Sequence, residues 1–183
     1  GQLPVFYNYK PTARRGYVLD SIAPLFPFGF GLSYTTFAYS NLRLTASHMP
    51  PMGTTSVLVD VRNSGERTGD EVVEMYVHDE VSAATRPVKE LRGFQRVTLS
   101  PGETRTVAFE VRGDLLAYHG PDMKRVVEPG EFQIMVGGSS VDLKSIVLTV
   151  DRAAVAPSTK SHDPDSHRSR VPKKVQLSPS PIL

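Results

Sequence analysis

Residues 56–79 read SVLVDVRNSGERTGDEVVEMYVHD, and this stretch decides the fold class. Apolar residues occupy every second position on both sides of a central turn signal: Val57, Val59 and Val61, then Val73, Met75 and Val77. Side chains along a strand point alternately to opposite faces, so this period of two predicts two strands, each with one buried face. The triplet Asn63-Ser64-Gly65 between them consists of residue types that favour turns.

The same alternation recurs outward from this stretch, along residues 42–45, 107–111, 132–136 and 146–150. Turn-forming triplets separate several of these runs, for example at residues 100–102, which read Ser-Pro-Gly. Six or seven short strands at this spacing predict an all-β fold, an antiparallel β-sandwich of about 100 residues. The sequence shows no helical pattern beyond one turn near residues 114–118.

Composition divides the chain into three segments. Residues 1–36 hold eight Phe and Tyr without a helix or strand period, which predicts an irregular strap packed on another surface. Within it, Gly29 and Gly31 are expected at sharp turns where a Cβ would clash. Residues 37–150 carry the strand pattern. Residues 151–183 hold five Pro and six Ser among scattered charges, and this composition predicts a disordered tail.

The net charge of +2 is unevenly distributed. Residues 151–183 contain 6 Lys and Arg against 3 Asp and Glu, which leaves 15 against 16 in residues 1–150. A nearly neutral folded part argues against a nucleic-acid partner, which would require a basic stripe on the folded surface. No apolar run reaches the roughly 18 residues of a membrane helix, so we expect no membrane partner either.

Several motifs in order carry a resemblance to a known family. Residues 24–39 read PLFPFGFGLSYTTFAY and residues 86–94 read RPVKELRGF. Together with residues 63–73, 99–103 and 127–137, they resemble the C-terminal fibronectin type III-like domain of family 3 glycoside hydrolases, the β-glucosidases and β-xylosidases. The resemblance implies an immunoglobulin-like sandwich at 37–150, preceded by a linker at 1–36 from the end of an α/β domain.

Catalytic chemistry is not predicted in this chain. Retaining hydrolysis of a glycosidic bond needs two carboxylates about 5 Å apart, and the resemblance implies that the family carries both on preceding domains. Asp79 and Glu80 are the nearest approach to such a pair, but neighbours on an extended chain point apart. The chain has no Cys, and its five His lack metal-ligand spacing. We therefore expect no catalytic residue, cofactor or metal, and no hydrolysis by this chain alone.

One loop is a candidate substrate contact. Residues 78–87 read HDEVSAATRP, a polar segment between two predicted strands, and binding residues often lie on loops held by a rigid scaffold. We expect Asp79, Glu80 or Arg86 to shape the outer sugar subsites of a complete enzyme. An ordinary hairpin loop is the alternative.

The sequence thus predicts an accessory domain that docks on preceding catalytic domains through residues 1–36. An oligosaccharide would contact it at the edge of the catalytic cleft of the complete enzyme. The parent reaction implied is hydrolysis of terminal β-glycosidic bonds by a periplasmic or secreted enzyme. The alternative is a stand-alone carbohydrate-binding or protein-interaction module. Sugar binding is disfavoured because the chain has no Trp and its sandwich offers mainly Tyr76 and Tyr118 for stacking.

Overall fold

The computed structural model describes residues 6–11, 23–120 and 122–152. Every stretch in which apolar and polar residues alternate forms a strand. A short helical turn follows the sixth strand. In chain order the elements are β1 (Phe37–Leu44), β2 (His48–Met49), β3 (Thr54–Asn63), β4 (Gly69–Asp79), β5 (Glu90–Leu99), β6 (Thr104–Arg112), α1 (Gly113–Leu116), β7 (Tyr118–His119), β8 (Arg125–Val126), β9 (Gly130–Gly137) and β10 (Leu143–Val150).

Two sheets face one another and form the predicted β-sandwich. The smaller sheet has the order β1-β3-β6, and the larger has the order β2-β10-β9-β4-β5. Neighbouring strands pair antiparallel, except that the two-residue β2 runs parallel to β10. A separate two-stranded ribbon joins β7 to β8. The prediction of an all-β sandwich is confirmed.

The core lies between the two sheets and is built from the alternating residues. Val57, Val59 and Val61 of β3 are completely buried. Across from them lie Val73 and Met75 of β4, with exposures of 1% or less. Full burial of each such side chain contributes about 1.5–3 kcal/mol, so the pattern that predicts the strands also supplies the stability of the sandwich.

Strand β5 is the strand expected after residues 78–87, although its sequence ELRGFQRVTL lacks strict alternation. The physical cause is a bulge. Met75 of β4 pairs with Gly93, and the next residue, Tyr76, pairs with Leu91, so Arg92 has no partner across the ladder. One extra residue in a strand shifts the register of all that follow and breaks the period of two.

Other predictions fall partly outside the described residues. The helical turn near residues 114–118 is confirmed as α1, which ends at the fully buried Leu116. The predicted disordered tail lies outside the described residues from position 153 onward. The division at 36/37 and 150/151 stays a prediction. In the described part, no helix is long and apolar enough to cross a membrane.

Candidate functional site

The strap, defined as residues 6–11 and 23–36, packs on the outer face of the larger sheet. The ring of Tyr7 stacks on Phe28, with 4.4 Å between ring centroids. Tyr7 also meets Tyr76 of β4 edge-on, at 5.7 Å between ring centroids. The outer face of β4 is therefore covered at Tyr76, which has no exposed surface. Tyr76, one of the two rings that the sandwich offered for sugar stacking, is therefore not accessible to a sugar.

Hydrogen bonds to backbone atoms fix the strap to the sandwich at both of its described pieces. The amide of Val88 donates to the carbonyl of Tyr9 at 2.9 Å, and the amide of Ser140 donates to the carbonyl of Phe28 at 2.8 Å. The Lys89 Nζ donates to the Ser140 carbonyl at 2.6 Å. Paired backbone groups give the strap a defined position, as they do within a sheet.

Gly29 of the strap lies close to Glu74 of β4. Its φ of +81° is the left-handed conformation, and a Cβ there would collide with Glu74 Oε2. That same oxygen accepts a 2.6 Å hydrogen bond from the Tyr76 hydroxyl. Burial beneath the strap raises the pKa of Glu74, although the Tyr76 hydrogen bond opposes the rise. The expectation for Gly31 is wrong, because a Cβ there would meet nothing within 4 Å.

Several large apolar side chains of the strap remain exposed, and together they are here named the strap surface. It comprises Leu25, Phe26, Phe28, Phe30, Leu32 and Tyr34. The exposures of its rings are Phe26 64%, Phe28 46%, Phe30 49% and Tyr34 92%. At 150–250 Å² for each ring, the four rings expose on the order of 500 Å². Monomeric proteins seldom leave more than a few hundred Å² of contiguous apolar surface in water.

The loop at residues 80–89, between β4 and β5, is organised by the guanidinium of Arg86. Its Nη1 lies 2.9 Å from Asp79 Oδ2, and its Nη2 lies 3.1 Å from Glu90 Oε2. Nη1 also donates to the carbonyl of Leu116 at 3.1 Å, and the guanidinium carbon lies 5.5 Å from the centre of the Tyr118 ring. The side chains of Arg86 and Asp79 are only 8% and 2% exposed. This arrangement ties both ends of the loop to α1 and β7.

The carboxylates around Arg86 respond differently to their surroundings. Burial raises the pKa of Asp79, and the Arg86 guanidinium opposes that rise. Burial also acts to raise the pKa of Glu90, but Arg92 and Arg86 outweigh it and hold the pKa of Glu90 below its usual range. Glu90 is therefore firmly ionised at neutral pH.

The three predicted substrate-contact residues are placed differently. Asp79 and Arg86 lie together as a buried ion pair, whereas the side chain of Glu80 is exposed. This separation follows the alternation along an extended chain, as expected for neighbours. The role of these residues toward a substrate stays a prediction, and what the structure shows is how the pair holds the loop.

A cleft of about 710 Å³ opens beside this loop. Its walls come from the strap, the loop, β5, the segment around β7, and β8. The residues lining it are Lys10, Ala84, Thr85, Arg86, Pro87, Glu90, Arg92, Ala117, Tyr118, His119 and Arg125. Sequence reasoning found only Arg86 of the charged residues in this group. Glu90 and Arg92 stand in the motif at residues 86–94, which pointed to the family but not to a site, and Lys10, His119 and Arg125 come from separate segments with no common spacing.

No candidate metal-binding site is present in the described part of the chain. Within residues 6–11, 23–120 and 122–152, no three His, Asp or Glu side chains come together in a way that would hold an ion. The ionic groups that do cluster are the arginines and carboxylates around Arg86, which neutralise one another.

Part of the sandwich is similar to a known domain family. The family described as "Fibronectin type III-like domain" matches residues 71–140. Residues 71–140 are a fibronectin type III-like domain. The resemblance carried by the ordered motifs is confirmed, and the matched range contains most of β4 and all of β5, β6 and β9, together with the Arg86 loop.

Proteins that share this fibronectin type III-like domain are much longer than the chain. A beta-xylosidase from Formosa agariphila is 49% identical over 156 residues, which cover 82% of this chain and 22% of that protein. A periplasmic beta-glucosidase from Salmonella typhimurium is 38% identical, over 79% of this chain and 20% of the relative. The structure of a beta-glucosidase from Erythrobacter marinus matches with a TM-score of 0.78 and 43% identity, over 81% of this chain and 20% of that one. The chain spans about a fifth of each relative.

Proposed function

We propose that this chain is an accessory domain of a larger β-glycosidase and that the strap surface docks on a catalytic domain. The exposed rings of the strap surface carry this proposal, because they belong to a segment that hydrogen bonds hold in place. The similarity to beta-xylosidases and beta-glucosidases that are about four times as long as this chain supports it. The parent reaction would be hydrolysis of terminal β-glycosidic bonds, performed on the other domains.

The strap surface suits an interface between domains for an energetic reason. Burying on the order of 500 Å² of ring surface contributes about 12 kcal/mol before costs, at about 25 cal/mol per Å². Docking is opposed by two free-energy costs: the ordering of side chains at the interface and, for two separate molecules, the loss of translational freedom. A covalent link to the catalytic domain removes most of the second cost. The sandwich would then act as a rigid clamp that stabilises the domain on which it docks.

Calorimetry of the complete hydrolase tests this proposal. Phe26→Ser with Tyr34→Ser should lower the unfolding temperature of the catalytic part, because the clamp no longer docks. Phe94→Ser is the matched control, since Phe94 is 68% exposed but lies on β5 outside the strap. In the separate chain, the same double substitution should reduce the binding of the dye ANS. Identical unfolding of the double variant and the control in the complete enzyme would refute the docking role.

A second candidate function belongs to the loop at residues 80–89, where Asp79, Glu80 and Arg86 were predicted to face substrate. The cleft beside the loop favours this role, because its volume is in the range of small-molecule sites. An oligosaccharide that extends from the catalytic domain would reach this cleft. Shortening the loop in the complete enzyme should then raise KM for longer oligosaccharides and leave KM for a short glycoside unchanged. Equal KM values for both substrate lengths would exclude the role.

A further inference from the structure

Hydrogen bonds fix both ends of the loop at residues 80–89 to the rest of the domain. The amide of Glu80 donates to the carbonyl of Glu131 in β9 at 3.2 Å, and the amide of Val88 donates to the strap. The buried ion pair of Arg86 holds the second half of the loop. The part between these attachments, residues 81–84, is here named the loop tip. A short segment with fixed ends still needs contacts of its own to take up a single position.

The carboxylate of Glu128, in the segment between β8 and β9, holds the loop tip. Its Oε2 accepts the amide of Ala83 at 3.0 Å and the hydroxyl of Ser82 at 3.3 Å. The bond from the Ala83 amide is the main cause that lowers the pKa of Glu128, and the Tyr118 hydroxyl and the Arg86 guanidinium also favour its charged form. Glu128 is therefore ionised at neutral pH. Hydrogen bonds to a charged acceptor are stronger than those between neutral groups.

These contacts divide the side chains of the loop into two groups. Ser82 and Arg86 are bound to carboxylates of the sandwich and are not free to meet a ligand. Val81 is 82% exposed, and Ala83 and Thr85 are also exposed. The surface that the loop offers to another molecule therefore consists of small or short side chains, carried on a backbone that is already in position.

We propose that Glu128 is a positioning residue, which holds the loop tip so that Val81 and Thr85 contact an outer sugar ring of the substrate. Val81 offers apolar surface to the C–H face of a ring, and Thr85, which lines the cleft, offers a hydroxyl to a sugar hydroxyl. Asp79 and Arg86 do not make these contacts, because their side chains are 2% and 8% exposed and bind each other. A loop that is already ordered binds with a smaller entropic cost. The substrate in this proposal rests on the proposed function of the loop.

Nuclear magnetic resonance of the 183-residue chain tests the contact between Glu128 and the loop tip. The amide signal of Ala83 should shift as Glu128 is protonated, with a midpoint below the ordinary Glu value of about 4.3. Because Asp79 also titrates beside the loop, Glu128→Gln assigns the midpoint by removing it. In this variant the Ala83 amide should exchange with solvent about threefold faster or more, since its charged acceptor is lost. Glu66→Gln, in the exposed turn between β3 and β4, is the matched control and should change neither signal.

Kinetics of the complete enzyme test the effect on substrate. Glu128→Gln should raise KM for longer oligosaccharides about threefold or more relative to KM for a short glycoside, because the loop tip is no longer held in place. On the longer substrates kcat should change less than KM, since the loop does not touch the reacting atoms. Val81→Ser should raise the same KM but leave the titration of the Ala83 amide unchanged, because it removes a substrate contact and keeps the anchor. Glu66→Gln should leave the kinetics unchanged.

Two results would overturn the proposal. The first is an Ala83 amide that titrates and exchanges in Glu128→Gln as it does in the unchanged chain, so that Glu128 does not hold the tip. The second is a loosened tip with no rise in KM for the longer oligosaccharides, so that the tip does not position a substrate contact. In the second case the loop-shortening experiment separates two failures. A rise in KM there leaves the loop function standing without the positioning role of Glu128, and no rise removes the loop function itself.

Discussion

Replacing Arg86 with Met should strongly destabilise the sandwich, although Met fills a comparable apolar volume. The substitution leaves the Asp79 carboxylate, 2% exposed, without its 2.9 Å partner. It also removes the donor to the Leu116 carbonyl and one of the two arginines at Glu90. Removing one member of a buried ion pair typically costs about 3–5 kcal/mol, because the remaining charge stays buried. That is a large share of the roughly 5–15 kcal/mol by which a domain is stable.

Urea unfolding followed by circular dichroism measures this loss, and it suits a chain with no Trp. With a slope of about 2 kcal/mol per molar, the midpoint should fall by roughly 2 M. The loss should also depend on pH. Burial already raises the pKa of Asp79, and losing Arg86 raises it further. The penalty for the charged carboxylate is present above its folded-state pKa and disappears as protonation neutralises it, so the deficit should shrink on acidification.

A double-mutant cycle supplies the control for the Arg86 prediction. Asp79→Leu combined with Arg86→Met removes both charges, and the pair of substitutions should cost clearly less than the sum of the two single ones. Arg105→Met should leave the urea midpoint unchanged, because its pair with Glu103 is exposed to solvent. Additive costs in the cycle, or a loss below about 1 kcal/mol for Arg86→Met, would refute the buried-pair explanation.

Two further predictions concern the strap. Gly29→Ala should loosen the strap, because alanine is strained at a φ of +81° and its Cβ would meet Glu74. Gly31→Ala is the control and should have no effect, because a Cβ there would meet nothing within 4 Å. Hydrogen exchange of the Ser140 amide, which donates to the strap carbonyl of Phe28, measures the difference. Glu74→Gln should raise the urea midpoint at pH 7, since burial raises the pKa of this carboxylate and the charged form opposes folding. That gain should vanish below about pH 4, near the ordinary pKa of Glu, where the carboxyl is protonated in both states. A gain that is independent of pH would contradict this explanation.

The sandwich strands were predictable wherever one face of a strand is apolar and the other polar. In β3, Val57, Val59 and Val61 are buried as the alternation requires. The pattern was less informative for the outer face of β4, where the strap covers Glu74 and Tyr76. A charged or hydroxylated residue in an alternating strand predicts an exposed position. It becomes buried here only because a distant segment lies on top of it.

The candidate sites were predictable to different degrees. Apolar composition alone indicated that the strap would pack on a surface. Which rings lie on the sandwich and which remain exposed depends on the path of residues 23–36. For the loop, the sequence pointed to Asp79, Glu80 and Arg86 by their position between strands. The sequence did not indicate that Arg92 and Arg125 lie near this loop. A bulge in β5 places Arg92 there, and the pairing of β7 with β8 places Arg125 there.

The sequence by itself determined the all-β class, the positions of most strands and the family, because alternation and ordered motifs are local and survive in a linear chain. Only the tertiary structure decided that Arg86 and Asp79 form a buried pair, that Tyr76 is covered, and that a cleft opens beside the loop. The reason is physical. Burial and charge compensation depend on which distant segments meet, and that is set by strand pairing rather than by the neighbours of each residue in the chain.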